Sequence, residues 1–150
     1  MMSIHAYHCC WLHLIWGTKK REKFFNKHQQ QKISSHLYTY ADEKNIYMKI
    51  NHVNTDHVHA LIDLPPQFSI RKVLKLFKGN SSYWINKNRI IPQKFSWARG
   101  YGAFSVSQSM VEKVAAYIRH QKEHHRLVTF AEEYAAFIKA YGLDPHNINR

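Results

Sequence analysis

Three observations in this 150-residue chain predict an α+β fold with one antiparallel sheet. Four short runs rich in branched and aromatic residues are separated by segments with helical spacing of apolar residues. Two of those runs are joined only by the turn Asn54-Thr55-Asp56, which makes them a hairpin. The overall order reads β-α-β-β-α-β-α-α. Its first six elements match the split βαβ, ferredoxin-like arrangement, with two helices packed on one face of a four-stranded sheet.

Each element has a local reason. Tyr7 to Trp16 is aromatic and branched and stops at Gly17, so it is the first expected strand. Ile33, Leu37, Tyr40 and Ala41 recur at helical spacing and place the first helix at roughly Lys23 to Lys44. Ile46 to Val53 alternates as the second strand, and His57 to Leu64 follows as the third, stopped by Pro65-Pro66. Ser69 caps the second helix, whose apolar stripe is Ile70, Val73, Leu74, Phe77, Trp84 and Ile85. Phe104 to Ser107 is a short fourth strand. Ser109 and Glu112 suggest a capping box for a third helix over about Met110 to His125. Thr129 and Glu132 suggest another for a last helix that ends at Gly142 before Pro145.

Length favours a single domain over residues 1–150, and an apolar content of 45% excludes a disordered class. The 22 Lys and Arg against 10 Asp and Glu leave a net charge of +12, which points to a polyanionic partner, nucleic acid first. Cys9 and Cys10 are adjacent and are expected to be reduced thiols of a cytoplasmic protein. The run Cys9 to Trp16 is too short to span a membrane, and no signal peptide is expected.

The chemistry concentrates in "DHVHALIDLPP". Strand side chains alternate, so His57 and His59 share one face while Val58, Ala60, Ile62 and Leu64 share the other. The apolar set belongs to the core, and the two imidazoles are expected off it, close enough to share one ion. Two imidazoles are an incomplete site. With 12 histidines, about one His-x-His pair is expected by chance, so the pair alone has a bland reading as solvated polar residues. The third helix carries "AAYIRHQKEHH", in which Tyr117 and Gln121 are four apart and lie on one face. Asp56 and Asp63 are expected as a turn residue and a strand-end residue.

"DHVHALIDLPP" followed by "YIRHQ" resembles the small single-tyrosine transposases of bacterial insertion sequences, the insertion-sequence-200-like family of the HUH nuclease superfamily. "LHLIWGTKKR", "KGNSSYWIN" and "WARGYGAFSVS" resemble other parts of that family, so the likeness runs from about Tyr7 to His125. The last helix matches least. The resemblance implies the same ferredoxin-like fold. It implies His57, His59 and Gln121 as ligands of Mg2+ or Mn2+, and Tyr117 as the nucleophile. It implies cutting and rejoining of single-stranded DNA at hairpin-bearing ends, by a homodimer whose active sites are shared between subunits. That activity belongs in a bacterial cytoplasm, at the nucleoid.

Lys19, Lys20, Arg21, Arg71, Lys75, Lys78 and Arg99 are the expected DNA contacts, with Trp97 and Tyr101 as candidate base-stacking rings or partial core. His120, His124 and His125 are expected to add positive charge, with His124 on the Tyr117 face. The alternative functions are another HUH enzyme, a replication initiator or relaxase, and a non-enzymatic single-stranded nucleic-acid-binding domain. The last would place aromatic residues on the open sheet face where this chain has His57 and His59.

Overall fold

A computed structural model describes residues 6–125 and 127–143. Its strands are β1 (Trp11–Gly17), β2 (Tyr47–Val53), β3 (His57–Asp63) and β4 (Gly102–Val106), in the sheet order β2-β3-β1-β4. All neighbours are antiparallel, as the ferredoxin-like reading requires. The helices are α1 (Lys27–Glu43), α2 (Ile70–Lys87), α3 (Val111–Arg119), α4 (Gln121–His124) and α5 (Phe130–Ala140).

One face of the sheet carries the larger core. Leu12, Leu14 and Trp16 of β1 and Val58, Ala60 and Ile62 of β3 pack there against Ile33, Leu37 and Tyr40 of α1 and Val73, Leu74, Phe77 and Ile85 of α2. Ser69 accepts from the backbone N–H of Lys72 and caps α2 as the sequence indicates. Helix α1 starts later than its apolar spacing suggests. Asn26 and Gln29 form a capping box, while Phe24 and Phe25 lie before it, donating their N–H groups to Thr55 O. Strand β1 also starts later. Trp11 is opposite the last residues of both β3 and β4, so the chain before it has no strand to pair with, and Tyr7 is 84% exposed.

The other face is covered as well, which the expectation of an exposed histidine face missed. Val111, Ala115 and Ile118 of α3 pack on Leu61 and Val106. Phe130 of α5, with Tyr134 and Phe137, packs on Ile15 and Phe104. Two glycines permit this close seat. A Cβ on Gly17 would fall 2.7 Å from the Phe130 ring, and one on Gly102 would fall 2.9 Å from Tyr134.

The third helix differs from its reading in two ways. Its capping box does not form: Glu112 pairs with Lys49 at 2.9 Å, and Ser109 Oγ lies 3.2 Å from Ser107 Oγ. A 3-10 turn at Gln108–Met110 starts α3 instead. The helix then breaks at His120, whose φ of −97° and ψ of 21° are not helical and whose ring Nδ1 donates to Ala116 O at 2.7 Å. The Thr129 and Glu132 box of α5 does form, and Gly142 ends that segment with φ of 67°. Pro145 lies outside the described residues.

Candidate metal and tyrosine site

The alternation of β3 turns His57 and His59 to the side covered by α3 and α5, in the gap between the two small apolar clusters there. His57 is 1% exposed and His59 is 0% exposed. The imidazoles therefore sit in a second core layer rather than on a solvated face. At its centre is a group that the sequence pattern did not single out, Glu133 of α5, which is 2% exposed.

Glu133 Oε1 lies 2.9 Å from His59 Nε2, 3.0 Å from His125 Nε2 and 3.3 Å from His57 Nε2. His57 Nε2 and His125 Nε2 are 3.1 Å apart. The other carboxylate oxygen, Oε2, accepts from the Tyr117 hydroxyl and from Gln121 Nε2 at 3.0 Å, with His124 Nε2 at 3.3 Å. One carboxylate thus joins the histidine pair to the tyrosine.

A further ring of partners orients the imidazoles. Asp56 Oδ1 accepts from His57 Nδ1 at 2.7 Å, so this residue orients an imidazole as well as serving the turn. Asn54 Nδ2 donates to His57 Nε2 at 3.1 Å. His125 Nδ1 donates to Val128 O at 2.8 Å. His13 of β1, also buried, places Nε2 2.7 Å from His59 Nδ1. Asp63 keeps its strand-end role and accepts from Cys10 N at 2.9 Å. Phe130 stacks on His57 with centroids 4.0 Å apart and planes 5° from parallel.

The electrostatics follow from this crowding. Burial alone would raise Glu133, but bonds from His125, His57 and His59 overcome it and hold the carboxyl far below the usual range. Burial, reinforced by the Glu133 carboxylate, pushes the Tyr117 hydroxyl up. Burial pulls His59 down to about 4 and His13 well below its usual value. Burial also acts downward on His57, yet Asp56 and Glu133 together leave it raised.

These shifts have a consequence for the chelator-treated protein. Unfolded histidines titrate near 6.5. His13 and His59 resist protonation in the folded state, so between pH 6.5 and about 4 the unfolded chain binds more protons and stability falls. His57 acts the other way, contributing below pH 6.5 and losing its contribution as pH rises through its raised value. Burial lowers His52 too, so three lowered histidines outweigh one raised. The His59 part alone is of the order of 3 kcal/mol. Thermal unfolding midpoints should drop steadily over that window, and a flat profile would show that the buried rings are not held neutral.

The donor chemistry suits a divalent cation. His57, His59, His125 and Glu133 offer ligand atoms that all lie within 4.8 Å of one another. Gln121 Oε1 is buried without a hydrogen-bond partner while its amide nitrogen serves Glu133, which leaves an oxygen in need of a positive neighbour. A surface groove lined by Lys23, Lys27, His52, Asn54 and Lys122 reaches His57 and His125.

The expected DNA contacts fall into two groups. Lys19, Lys20 and Arg21 form an exposed 3-10 turn directly after β1, with Lys20 and Arg21 at φ of 58° and 56°. The Arg21 guanidinium lies 5.6 Å from the centre of the Phe130 ring, so this turn borders the histidine cluster. Arg71 and Lys75 are exposed on α2, which packs on the other face of the sheet. Lys78 is half-buried there and donates to Arg99 O at 2.9 Å and Gly100 O at 3.2 Å, so it holds the chain leading into β4. Arg99 itself is exposed. Trp97 is core and donates to Ser81 Oγ at 2.9 Å, so it is no stacking platform.

The class of protein is a transposase. The family description "Transposase IS200 like" matches residues 6–121, and the chain belongs to that family. It is 27% identical over 124 residues to the transposase for insertion sequence element IS200 of Salmonella typhimurium, covering 79% of this chain and 80% of that one. The corresponding Salmonella typhi protein gives the same values of 27%, 79% and 80%. Two solved structures share the fold. One, from Deinococcus radiodurans R1 and described as a candidate transposase, has a TM-score of 0.64 at 23% identity, over 81% of this chain and 97% of that chain. The other, a REP-associated tyrosine transposase bound to a REP hairpin, has a TM-score of 0.60 at 12% identity, over 85% and 76%.

Proposed function

We propose that this transposase nicks and rejoins single-stranded DNA at hairpin-bearing element ends through a 5′-phosphotyrosine on Tyr117. The observation that carries the proposal is the meeting of Tyr117 with His57 and His59 on the single carboxylate of Glu133. In the forward step the tyrosine oxygen attacks phosphorus and loses its proton. The bond to the 3′ oxygen breaks and leaves a 3′-OH, and reversal rejoins the strand. A divalent cation, Mg2+ or Mn2+, would be held by His57 and His59 with Gln121, and would supply charge neutralisation at the scissile phosphate and ease loss of the tyrosine proton. Glu133 orients the hydroxyl, and Asp56 and His13 orient the imidazoles.

The test is incubation with single-stranded fragments of the flanking genomic DNA plus Mn2+. A covalent protein–DNA adduct that survives denaturation is the expected result. No adduct with any hairpin-bearing end would overturn the proposal. A non-enzymatic binding domain finds little support, since it needs an open sheet face and α3 and α5 cover this one. The family match and its coverage favour a transposase over a replication initiator or relaxase. Action on DNA in the bacterial cytoplasm follows from the transposase reading; separately, no helix among the described residues is long and apolar enough to cross a membrane.

Lys19, Lys20 and Arg21 beside the cluster, and Arg71, Lys75 and Arg99 elsewhere, are the proposed phosphate contacts. Affinity for single-stranded hairpin DNA should fall steeply with salt. Reversing Arg71 and Lys75 should lower the log–log salt slope by about 0.7 for each phosphate no longer neutralised. Lys78 is unsuitable for reversal, because that change would also release the Arg99 and Gly100 carbonyls. An unchanged slope would remove α2 from the DNA path.

A homodimer with shared sites is part of the same proposal. Within one chain Tyr117 already stands with its ring centre 6.0 Å from that of His59, so sharing requires α3 to exchange between subunits. Mixing Tyr117→Phe with His57→Ala protein reads the arrangement. Shared sites yield one intact site per heterodimer and restore the adduct. Self-contained sites restore nothing.

A further inference from the structure

We propose that His125 and Glu133 complete, with His57 and His59, a four-donor cation site whose three nitrogens select manganese- or zinc-class ions over magnesium. Neither His125 nor Glu133 belongs to the segment that matches the family, which ends at residue 121. Both come from the α4–α5 segment that follows it. The inference rests on the cation-assisted reading above and names the ligands and the ion class.

The first argument is spacing. Two ligands in neighbouring positions around an ion at about 2.1 Å are about 3.0 Å apart in octahedral and about 3.4 Å apart in tetrahedral geometry. The contacts of Glu133 Oε1 with His59, His125 and His57 are 2.9, 3.0 and 3.3 Å, and the contact between His57 and His125 is 3.1 Å. These four pairs already stand at the separations that a shared ion imposes, and all four donor atoms lie within 4.8 Å of one another.

The second argument is proton placement. Carboxylate and carbonyl oxygens only accept, so Asp56 fixes the His57 proton on Nδ1 and Val128 O fixes the His125 proton on Nδ1. His125 Nε2 then turns its lone pair toward Glu133 Oε1 and His57 Nε2, and His57 Nε2 accepts from Asn54 Nδ2. A cation among these atoms would satisfy lone pairs that face a carboxylate oxygen. An outward N–H held by a carboxylate or carbonyl is also the arrangement that aims a histidine at a metal. His59 can take the same form by donating Nδ1–H to His13 Nε2.

The third argument is ligand type. Magnesium demands octahedral oxygen-rich coordination and keeps its water, whereas imidazole suits later divalent metals. Three imidazoles and one carboxylate oxygen are a poor match for magnesium. Glu133 would bind through Oε1 and keep Oε2 for Tyr117, which fixes the hydroxyl beside the ion.

The test is titration of the full chelator-treated chain with Mn2+, Co2+, Zn2+ or Mg2+ alone, by calorimetry, with thermal unfolding as the check on folding. Wild type should bind Mn2+ at least about ten-fold more tightly than Mg2+. His125→Ala and Glu133→Ala should each weaken Mn2+ binding by about ten-fold or more. His125→Asn and Glu133→Gln serve if the alanine variants unfold. The visible absorption of the wild-type Co2+ protein reports the donors without any substitution, and should show nitrogen-rich coordination. Equal affinity for Mg2+ and Mn2+, or an all-oxygen octahedral Co2+ spectrum, would overturn the proposal. So would Mn2+ binding that survives both substitutions but is lost in His57→Ala, and this outcome leaves the cation-assisted transposase reading intact. Tighter binding in Glu133→Ala would also overturn it, making the carboxylate a competitor for the seat. Adduct formation in the presence of chelator, with no ion bound by wild type, would sink both readings.

Discussion

Tyr117→Phe should bind hairpin DNA as the wild type does and form no covalent adduct. The structure explains why this change isolates the chemistry. The Tyr117 ring packs edge-on against His13, His59 and Phe137, with centroids 6.3, 6.0 and 5.8 Å away, and a phenylalanine ring keeps all three neighbours. Only the hydroxyl is removed. Its acceptor, Glu133 Oε2, still has Gln121 Nε2 at 3.0 Å and His124 Nε2 at 3.3 Å, so no buried carboxylate oxygen is orphaned. The stability change should stay within about 1 kcal/mol. Loss of adduct then means loss of the nucleophile rather than loss of the site. A phenylalanine variant that still cross-links to cut DNA would assign the nucleophile elsewhere.

The strand half of this site is legible in the sequence because a strand has a short period. Alternation along His57 to Asp63 separates the two imidazoles from Val58, Ala60 and Ile62, and nothing non-local is needed to see it. Tyr117 and Gln121 are legible for the same kind of reason, four apart on a helix, and both reach Glu133 even though the helix breaks between them at His120. Glu133 lies 74 residues from His59 and beside Glu132, which the capping box explains on its own. One signal is present. Phe130, Tyr134 and Phe137 form the apolar stripe of α5, and Glu133 falls inside that stripe rather than opposite it. A charged residue within an apolar stripe must have partners, and a histidine-rich face awaiting cover is where they are to be found. His125 is hidden differently. Reading Met110 to His125 as one continuous helix puts its ring on the wrong course, and the break at His120 turns it inward. The cover over the histidine face is invisible for a related reason, since it depends on close approach at Gly17 and Gly102, far apart in the chain.

His59→Ala should abolish cleavage and also destabilise the protein, and the second effect follows from where the ring sits. His59 is wholly buried, with Nε2 2.9 Å from Glu133 Oε1 and Nδ1 2.7 Å from His13 Nε2. Alanine leaves the Glu133 carboxylate short of one partner and His13 without its neighbouring ring. Removing one hydrogen-bond partner from a buried charged group costs about 1.5–3 kcal/mol. Glu133 retains His57 and His125, so the lower part of that range applies. The loss of cleavage must therefore be separated from loss of fold. The double variant His59→Ala with Glu133→Gln does this, because a neutral amide replaces the charge left uncompensated. It should unfold at a higher temperature than His59→Ala alone and still form no adduct, since the ligand ring is absent. If instead the double variant regains cleavage along with stability, His59 is a packing residue and the ion seat lies elsewhere. If His59→Ala alone keeps both its unfolding temperature and its cleavage, the buried cluster has no part in the reaction.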